Sequence, residues 1–199
     1  FILVSAGMAA ERPNILFIMS DDHACNAISA YGGRLAAVAP TPNIDRLAND
    51  GVRYETAWSM PACLPRRVTL LTGQYPFRHG WTEHHELTKR RGVGLNGEKF
   101  TTVATRLSDG GYLTAIGGHW LIDELGENPN ALQRYGFQEF CVWDRSGEEE
   151  NRTPASTVGT QLLVNGEREK TDKGAERINS FLIDFTRRNH DQPFFIYYS

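Results

Sequence analysis

The sequence predicts an α/β fold with a mostly parallel central sheet flanked by helices. Two continuous apolar runs, at residues 14–20 and 193–199, are typical of strands that are buried on both faces of a parallel sheet. Short amphipathic segments that stop at a glycine lie between the strand-like runs, and this alternation is the pattern of α/β proteins. Because such folds bind ligands at the carboxyl ends of their strands, we look for functional residues there.

The first third of the chain predicts a strand, a helix and a second strand. After the first apolar run, residues 41–51 have the signals of a short helix, since Thr41 can cap it, Pro42 suits its first turn and Gly51 stops it. Residues 52–59 predict the next strand.

Two helices and a strand follow in the middle of the chain. Residues 64–72 predict an apolar helix that Gly73 closes. Residues 101–111 predict another short helix with a glycine stop, and residues 112–118 predict a strand.

The remaining residues predict irregular structure, then a helix and a strand. Residues 144–172 are polar and contain glycines, which favours loops or a small hairpin with Asn165–Gly166 as its turn. Residues 173–188 place four large apolar side chains on one helical face and lead into the strand at 193–199.

Composition limits the class of protein. The 199 residues are 40% apolar and 23% charged, which is enough for one domain with a core and argues against disorder. The net charge of −3 argues against a nucleic-acid binder that relies on positive charge. Three cysteines do not form a disulfide framework.

The two ends predict a fragment of a longer, exported protein. Residues 1–11 are apolar and then small, which favours the remnant of a secretory signal peptide cleaved after Ala10 over an apolar first strand. Because the chain stops within a predicted strand, we expect residues 12–199 to be the N-terminal part of a larger catalytic domain whose fold is incomplete here. We therefore expect a periplasmic or secreted protein with no membrane span.

Cys63 stands at the entrance of the predicted helix at 64–72, close to a proline and two arginines. A helix N-terminus attracts anions, because its first N–H groups are unpaired and its dipole adds positive charge. Asp21 and Asp22 directly follow the first strand, so both features should face one crevice. Two carboxylates there either cap a helix or bind a divalent metal, for which oxygen ligands favour calcium or magnesium.

The segment CLPRRVTLLTG resembles the signature of the sulfatase family, C-x-P-x-R followed by an apolar turn and T-G. Cys63, Pro65 and Arg67 occupy its defining positions. Further segments are similar to family motifs in the same order, namely PNILFIMSDD, TPNIDRLANDGVRYETAWS, TGQYPFRHG and QPFFIYYS. The resemblance covers residues 12–199 and implies an alkaline-phosphatase-like fold and the hydrolysis of sulfate esters, carried by a small molecule or a saccharide.

The resemblance also implies roles for single residues. A maturase enzyme would oxidise Cys63 to formylglycine, whose hydrated aldehyde attacks sulfur with one hydroxyl and expels sulfate when the other loses its proton. Arg67 would orient the formylglycine and its charge. Asp21 and Asp22, with the residue derived from Cys63, would ligate a calcium ion that holds the sulfate oxygens. The remaining ligands of the family would lie beyond residue 199.

One segment departs from the family pattern G-K-W-H or G-K-W-Q. In YLTAIGGHWLID, His119 stands in the position of the sulfate-binding lysine, and Leu121 in that of the histidine or glutamine. His119 supplies a positive charge only when it is protonated, and Leu121 cannot hydrogen-bond. His119 is a catalytic candidate beside Cys63 and Arg67. We expect the replacements at His119 and Leu121 to change the catalytic efficiency or the preferred substrate of the enzyme.

Other functions stay open on the sequence alone. Phosphate and sulfate have similar shapes, so a phosphate- or phosphonate-ester hydrolase of the same superfamily is an alternative. A non-catalytic binder of sulfated glycans is another, favoured by His119 and Leu121 and opposed by the intact signature. A thiol hydrolase would leave the proline and arginine without a role. His79, His84 and His85 could suggest zinc, but their spacing fits no standard motif.

Overall fold

The computed structural model describes residues 12–83, 95, 99–122, 125, 128, 130–144 and 160–199. Within these residues the strands are β1 (Ile15–Ile18), β2 (Leu113–Gly118), β3 (Glu139–Trp143), β4 (Thr160–Val164), β5 (Glu167–Thr171) and β6 (Phe194–Tyr198). The α-helices are α1 (Pro42–Asp50), α2 (Cys63–Thr72), α3 (Pro76–His79), α4 (Val103–Asp109) and α5 (Gly174–Arg188). Short 3₁₀ helices occupy Cys25–Ala27, Ser29–Tyr31 and Ala131–Tyr135.

The strands form one sheet in the order β1-β6-β2-β3-β4-β5. The pairs β1/β6, β6/β2 and β2/β3 are parallel, and β4 and β5 extend the sheet as an antiparallel hairpin. The predicted α/β class with a mostly parallel sheet is therefore confirmed. None of the helices in the described ranges has the length and hydropathy that a membrane span needs.

The core lies on both faces of this sheet, because successive side chains of a strand point to opposite faces. On one face, Phe195 and Tyr197 of β6 pack in a cluster with residues of α2 and α4. On the other, Phe194 and Ile196 pack in a cluster with apolar residues of α5, as its predicted apolar stripe requires. The helix that begins at Cys63 thus packs on the face of the sheet that carries Phe195 and Tyr197, opposite α5.

The first apolar run forms β1 as predicted, but β1 is not buried on both faces. It is the edge strand of the described sheet, and Leu16 and Ile18 are 56% and 58% exposed. Its other face, with Ile15 and Phe17, packs against the core cluster.

Two further predictions need correction. Residues 52–59 do not form a strand; Val52 is 81% exposed, Tyr54 71% and Trp58 94%, and the segment pairs with no strand of the described sheet. β-propensity is expressed only where a neighbouring strand and a packing surface exist, and this segment has neither here. Thr41 precedes α1 but does not cap its N–H groups; its hydroxyl instead donates to Asp45.

The hairpin was predicted correctly at its turn, and one strand was missed. Asn165 and Gly166 both have positive φ angles, 48° and 95°, as a two-residue hairpin turn requires. The hairpin joins the main sheet through β4, which pairs with β3. Strand β3 was not predicted, although Gly136 precedes it and a turn-favouring segment begins at Asp144. The predicted signal-peptide remnant at 1–11 lies outside the described residues.

Candidate active site

Three neighbouring parallel strands end at one edge of the sheet and carry polar residues there. Asp21 lies three residues beyond β1, Ser199 follows β6, and His119 follows β2. Because β6 lies between β1 and β2, these residues come from adjacent strand ends although the sequence separates them widely. This is the sheet edge where ligands of α/β folds bind.

A glycine permits the close approach of β2 and β6 at this edge. Gly118 has a φ of 100°, and a Cβ on it would collide with the backbone of Ser199. The backbone N–H of His119 donates to the carbonyl oxygen of Ser199 at 2.9 Å, which fixes the two chain segments side by side. Only glycine combines this backbone angle with the space available.

Helix α2 begins at the same edge with Cys63 as its first residue. The residue before it, Ala62, has no side chain that could accept from the first N–H groups, so they face the crevice uncapped by a side chain. Leu64, Val68 and Leu71 are almost fully buried in the core cluster and hold the helix on the sheet. The structure thus supports an anion-attracting helix N-terminus at Cys63.

Arg67 is 1% exposed and lies between the helix and the strand ends. Its Nη1 donates to the carbonyl oxygen of His119 at 3.0 Å and to the hydroxyl of Ser199 at 2.8 Å. Its Nη2 lies 3.5 Å from Oδ2 of Asp21. Because two strand ends hold this buried guanidinium, its position is fixed. A fixed guanidinium can orient an anion that binds to it.

Two nitrogen atoms of Arg67 are buried without a hydrogen-bond partner among the described residues, namely Nε and Nη2. Unpaired buried N–H groups are costly, because they have lost water without gaining an acceptor. Arginine binds tetrahedral oxyanions through paired N–H donors of this kind. Nη2 faces Asp21 at ion-pair distance without a hydrogen bond to it, so both nitrogen atoms retain donors that match the oxygens of a sulfate or phosphate group.

Asp21 is the carboxylate that meets the helix N-terminus. Its two oxygens accept from the thiol of Cys63 at 3.6 and 3.7 Å, and Oδ1 accepts from Nη2 of Arg66 at 2.6 Å. Partial burial acts to raise the pKa of Asp21, but the Arg66 hydrogen bond and the charge of Arg67 outweigh it, so the pKa lies below its usual value. The carboxyl group is thus held ionised beside the thiol.

The residues described here fit part of a calcium site. An ionised carboxylate is a preferred calcium ligand, and Asp21 lies in contact with the residue that would supply the next ligand, Cys63. Asp22 follows on the exposed surface with a φ of 51°, a left-handed conformation that aspartate tolerates. Within the described ranges, no three histidine, cysteine, aspartate or glutamate residues lie close enough to hold a metal.

The structure separates the side chains of His119 and Leu121. The backbone of His119 contacts Arg67, while its exposed ring stacks on Trp143 with 5.7 Å between ring centroids. An uninterrupted strand register would turn Leu121 toward the crevice, but Leu121 has a φ of 59° and packs against the core cluster. The left-handed residue turns the chain, because a non-glycine residue at positive φ breaks the extended path of β2.

His79 has a structural environment that the sequence did not indicate. Its Nδ1 accepts from the backbone N–H of Trp81 at 3.1 Å, and its Nε2 lies 3.0 Å from the hydroxyl of Thr69. Both ring nitrogens are thereby used, which does not fit a zinc ligand, and burial lowers the pKa of His79. The other two histidines considered for zinc lie outside the described residues.

Sequence reasoning missed two contributors to the site, Arg66 and Ser199. Arg66 follows Pro65 and had no assigned role, although a second arginine directly before the signature arginine was a visible signal. Ser199 carried no signal at all, because its contact with Arg67 depends on the strand order β1-β6-β2.

Comparison with protein families gives one match over most of the chain: the sequence model of the sulfatase family matches residues 13–199. Among curated proteins, the chain is 39% identical over 116 residues to an N-acetylglucosamine-6-O-sulfatase of Bacteroides thetaiotaomicron, covering 57% of this chain and 19% of that protein. It is 30% identical over 223 residues to arylsulfatase A of Bos taurus, covering 100% of this chain and 43% of that protein. The chain thus spans less than half the length of these relatives.

The chain is also similar to solved structures of sulfatases. BT4656 in complex with its substrate D-glucosamine-2-N,6-O-disulfate is 28% identical, with a TM-score of 0.68 over 94% of this chain and 34% of that one. The PsFucS1 sulfatase from Pseudoalteromonas sp. is 28% identical, with a TM-score of 0.72 over 95% of this chain and 44% of that one. These neighbours carry the alkaline-phosphatase-like fold, so that predicted fold is confirmed as well.

Proposed function

This chain belongs to the sulfatase family, and on that basis we propose that its protein hydrolyses sulfate esters at the N-terminus of helix α2. One observation carries the proposal beyond family membership. Arg67 is buried beside Cys63 and Asp21, yet two of its nitrogen atoms have no hydrogen-bond partner in the described part of the chain. Such donors are satisfied when an oxyanion binds between them and the helix N-terminus.

Two groups of this chain are proposed to bind the sulfate group. Arg67 and the first N–H groups of α2 donate hydrogen bonds to the oxygens of the sulfate group and are oriented before substrate arrives, because the core holds both. Negative charge that develops on these oxygens during hydrolysis is stabilised by donors that need not move. A fixed charge-assisted contact of this kind contributes about 10²–10³ in rate.

Cys63 and the aspartates supply the nucleophile and the metal in this proposal. Oxidation of Cys63 to formylglycine by a maturase supplies an oxygen nucleophile at the first residue of the helix. Asp21, Asp22 and the modified residue would hold a calcium ion, which when bound polarises the sulfate group. Asp21 is suited to this role because its neighbours keep it ionised at the mouth of the crevice.

We assign His119 a secondary role in binding. Its backbone carbonyl fixes Arg67, and its ring lies at the end of β2 against Trp143. The ring would reach the sulfate group only after leaving Trp143, so we expect His119 to matter more through its backbone than as a replacement for the family lysine.

The names of relatives support a sulfated saccharide as substrate. Two of the similar proteins act on sulfated amino sugars by their names, and BT4656 was solved with a disulfated glucosamine. We extend this substrate class to the present protein, with residues 12–199 as the N-terminal part of its catalytic domain and a periplasmic or secreted location.

Hydrolysis of matched esters tests the function. The full-length protein, produced together with a maturase, should hydrolyse an aryl sulfate faster than the corresponding aryl phosphate. Cys63→Ala should abolish turnover, because the nucleophile is lost. Cys25→Ala is the matched control, since Cys25 is an exposed cysteine of a 3₁₀ helix. Preference for the phosphate ester would favour the phosphatase alternative, and sulfate binding without turnover would favour a glycan-binding protein.

A further inference from the structure

Arg66 makes the shorter of the two ion pairs to Asp21, and the proposed mechanism does not use it. Its Nη2 lies 2.6 Å from Oδ1 of Asp21, whereas Nη2 of Arg67 lies 3.5 Å from Oδ2. The question is what a second guanidinium does at a carboxylate that is proposed to bind a metal.

The two arginines differ in how firmly they are held. The side chain of Arg67 is 1% exposed and donates to two strand ends. The side chain of Arg66 is 24% exposed, and its buried Nε has no hydrogen-bond partner among the described residues. The bond to Asp21 is therefore what holds the Arg66 guanidinium in place, and the solvent beside it offers a place to move.

A guanidinium and a divalent cation compete for one carboxylate oxygen. When a cation ligates Oδ1 of Asp21, the charge-assisted bond from Arg66 is weakened or lost, and the two positive groups repel each other. A carboxylate that starts in an ion pair consequently binds the cation less tightly than one that starts free. Repulsion by one nearby unit charge changes the affinity for a divalent ion by roughly tenfold at a partly exposed site.

We propose that Arg66 is a displaceable counter-ion of Asp21. It pairs with the carboxylate beside Cys63 before calcium binds, leaves the carboxylate when calcium binds, and so lowers the calcium affinity of the site. Arg66 is a positioning residue in this account, since it acts through Asp21 and not on substrate. The inference rests on the proposed function only in taking Asp21 as a calcium ligand.

Calcium titration of the matured full-length protein by calorimetry tests this role without any substrate. Arg66→Gln and Arg66→Met, which remove the charge and keep much of the stem, should bind calcium about tenfold more tightly than the wild type at low salt. The gain should shrink at high salt, because the pair is partly exposed and screened. Arg66→Lys should bind like the wild type, since it keeps the charge.

Arg53→Gln is the matched control for the loss of one ion-paired arginine. Arg53 pairs with Glu55 at 2.5 Å and makes no ion pair with Asp21 among the described residues. The calcium affinity of the Arg53→Gln protein should therefore equal that of the wild type. Equal or weaker calcium binding in both charge-removing variants of Arg66 would overturn the inference and leave the proposed function standing. Absence of calcium binding in every form, the wild type included, would overturn both the proposed metal and this inference.

Discussion

The acidic and the cationic halves of the candidate site come from regions with opposite packing. None of residues 12–62, which include Asp21 and helix α1, is buried. Helix α2, which begins at the next residue, buries five of its ten residues, among them Arg67. Asp21 is held by ion pairs and by the end of strand β1, whereas Arg67 is held by the core and by two strand ends.

This difference separates two tasks that a sulfate-binding site must perform. The anion-binding donors are preorganised because displacing them would open the core. Asp21 is held by ion pairs that a metal ion can displace, which suits a carboxylate that is proposed to become a metal ligand.

Substitution of Arg67 should have the largest effect, because it removes the fixed donors of the packed half. Arg67→Met should lower turnover of an aryl sulfate by about 10²–10³. It should also cost about 1–3 kcal/mol in free energy of unfolding, since the carbonyl oxygen of His119 loses a donor. Steady-state kinetics and urea unfolding of the full-length protein measure both.

Arg78→Met is the control for that experiment, because Arg78 is exposed on helix α3. It should leave both turnover and stability within error of the wild type. Wild-type turnover in Arg67→Met would contradict the assignment of this residue to the sulfate group.

A pair of leucines tests the packing contrast directly. Leu71 of α2 is 1% exposed, and Leu71→Ala should cost about 2–5 kcal/mol in free energy of unfolding. Leu47 of α1 is 66% exposed, and Leu47→Ala should change it by about 0.5 kcal/mol or less. Chemical denaturation of the two variants provides the comparison. Similar losses for both would show that the two regions are packed alike in the whole protein.

The smallest expected effect concerns His79, which links α3 to α2. Burial lowers the pKa of His79, so the unfolded chain takes up a proton at this residue more readily than the folded one. Its contribution to stability is therefore present above the ordinary histidine pKa of about 6.5 and is lost as the pH falls below that value. Denaturation midpoints measured between neutral and mildly acidic pH should show this decline.

Two histidine variants identify the source of that pH dependence. His79→Gln should flatten the decline, because the titrating group is gone. His190→Gln should leave it unchanged, since His190 is exposed near the end of α5. An unchanged slope in His79→Gln would assign the pH dependence to other groups.

Much of the packed region could be predicted from the sequence, and less of the exposed region. Continuous apolar runs predicted β1 and β6, and the apolar stripe of α5 predicted its packing, because burial leaves a strong pattern in the sequence. The run at β1 predicted burial on both faces, whereas one face of this edge strand is exposed. Residues 52–59 were wrongly predicted as a strand from β-favouring residues alone. Their structure depends on neighbours that the local sequence does not encode.

In the candidate site, too, contacts between residues that are distant in the sequence could not be predicted. Asp21 and Cys63 could be placed together because one follows a strand, the other begins a helix, and parallel strands end at one edge. Arg67 could be added through the resemblance to the family signature. The contacts of Arg67 with His119 and Ser199 depend on the strand order, and the path of Leu121 depends on one left-handed residue. Neither has a signature in a single sequence.

Cys63 is proposed as the precursor of the nucleophile, at the start of the helix that the core holds, and the mass of one peptide tests this assignment. Mass spectrometry of the Cys63 peptide, from protein produced with an active maturase, should show loss of one sulfur and two hydrogens and gain of one oxygen. Cys25 and Cys141 in the same digest should keep their thiols. An unmodified thiol at Cys63, while the same maturase converts a reference sulfatase, would contradict the claim.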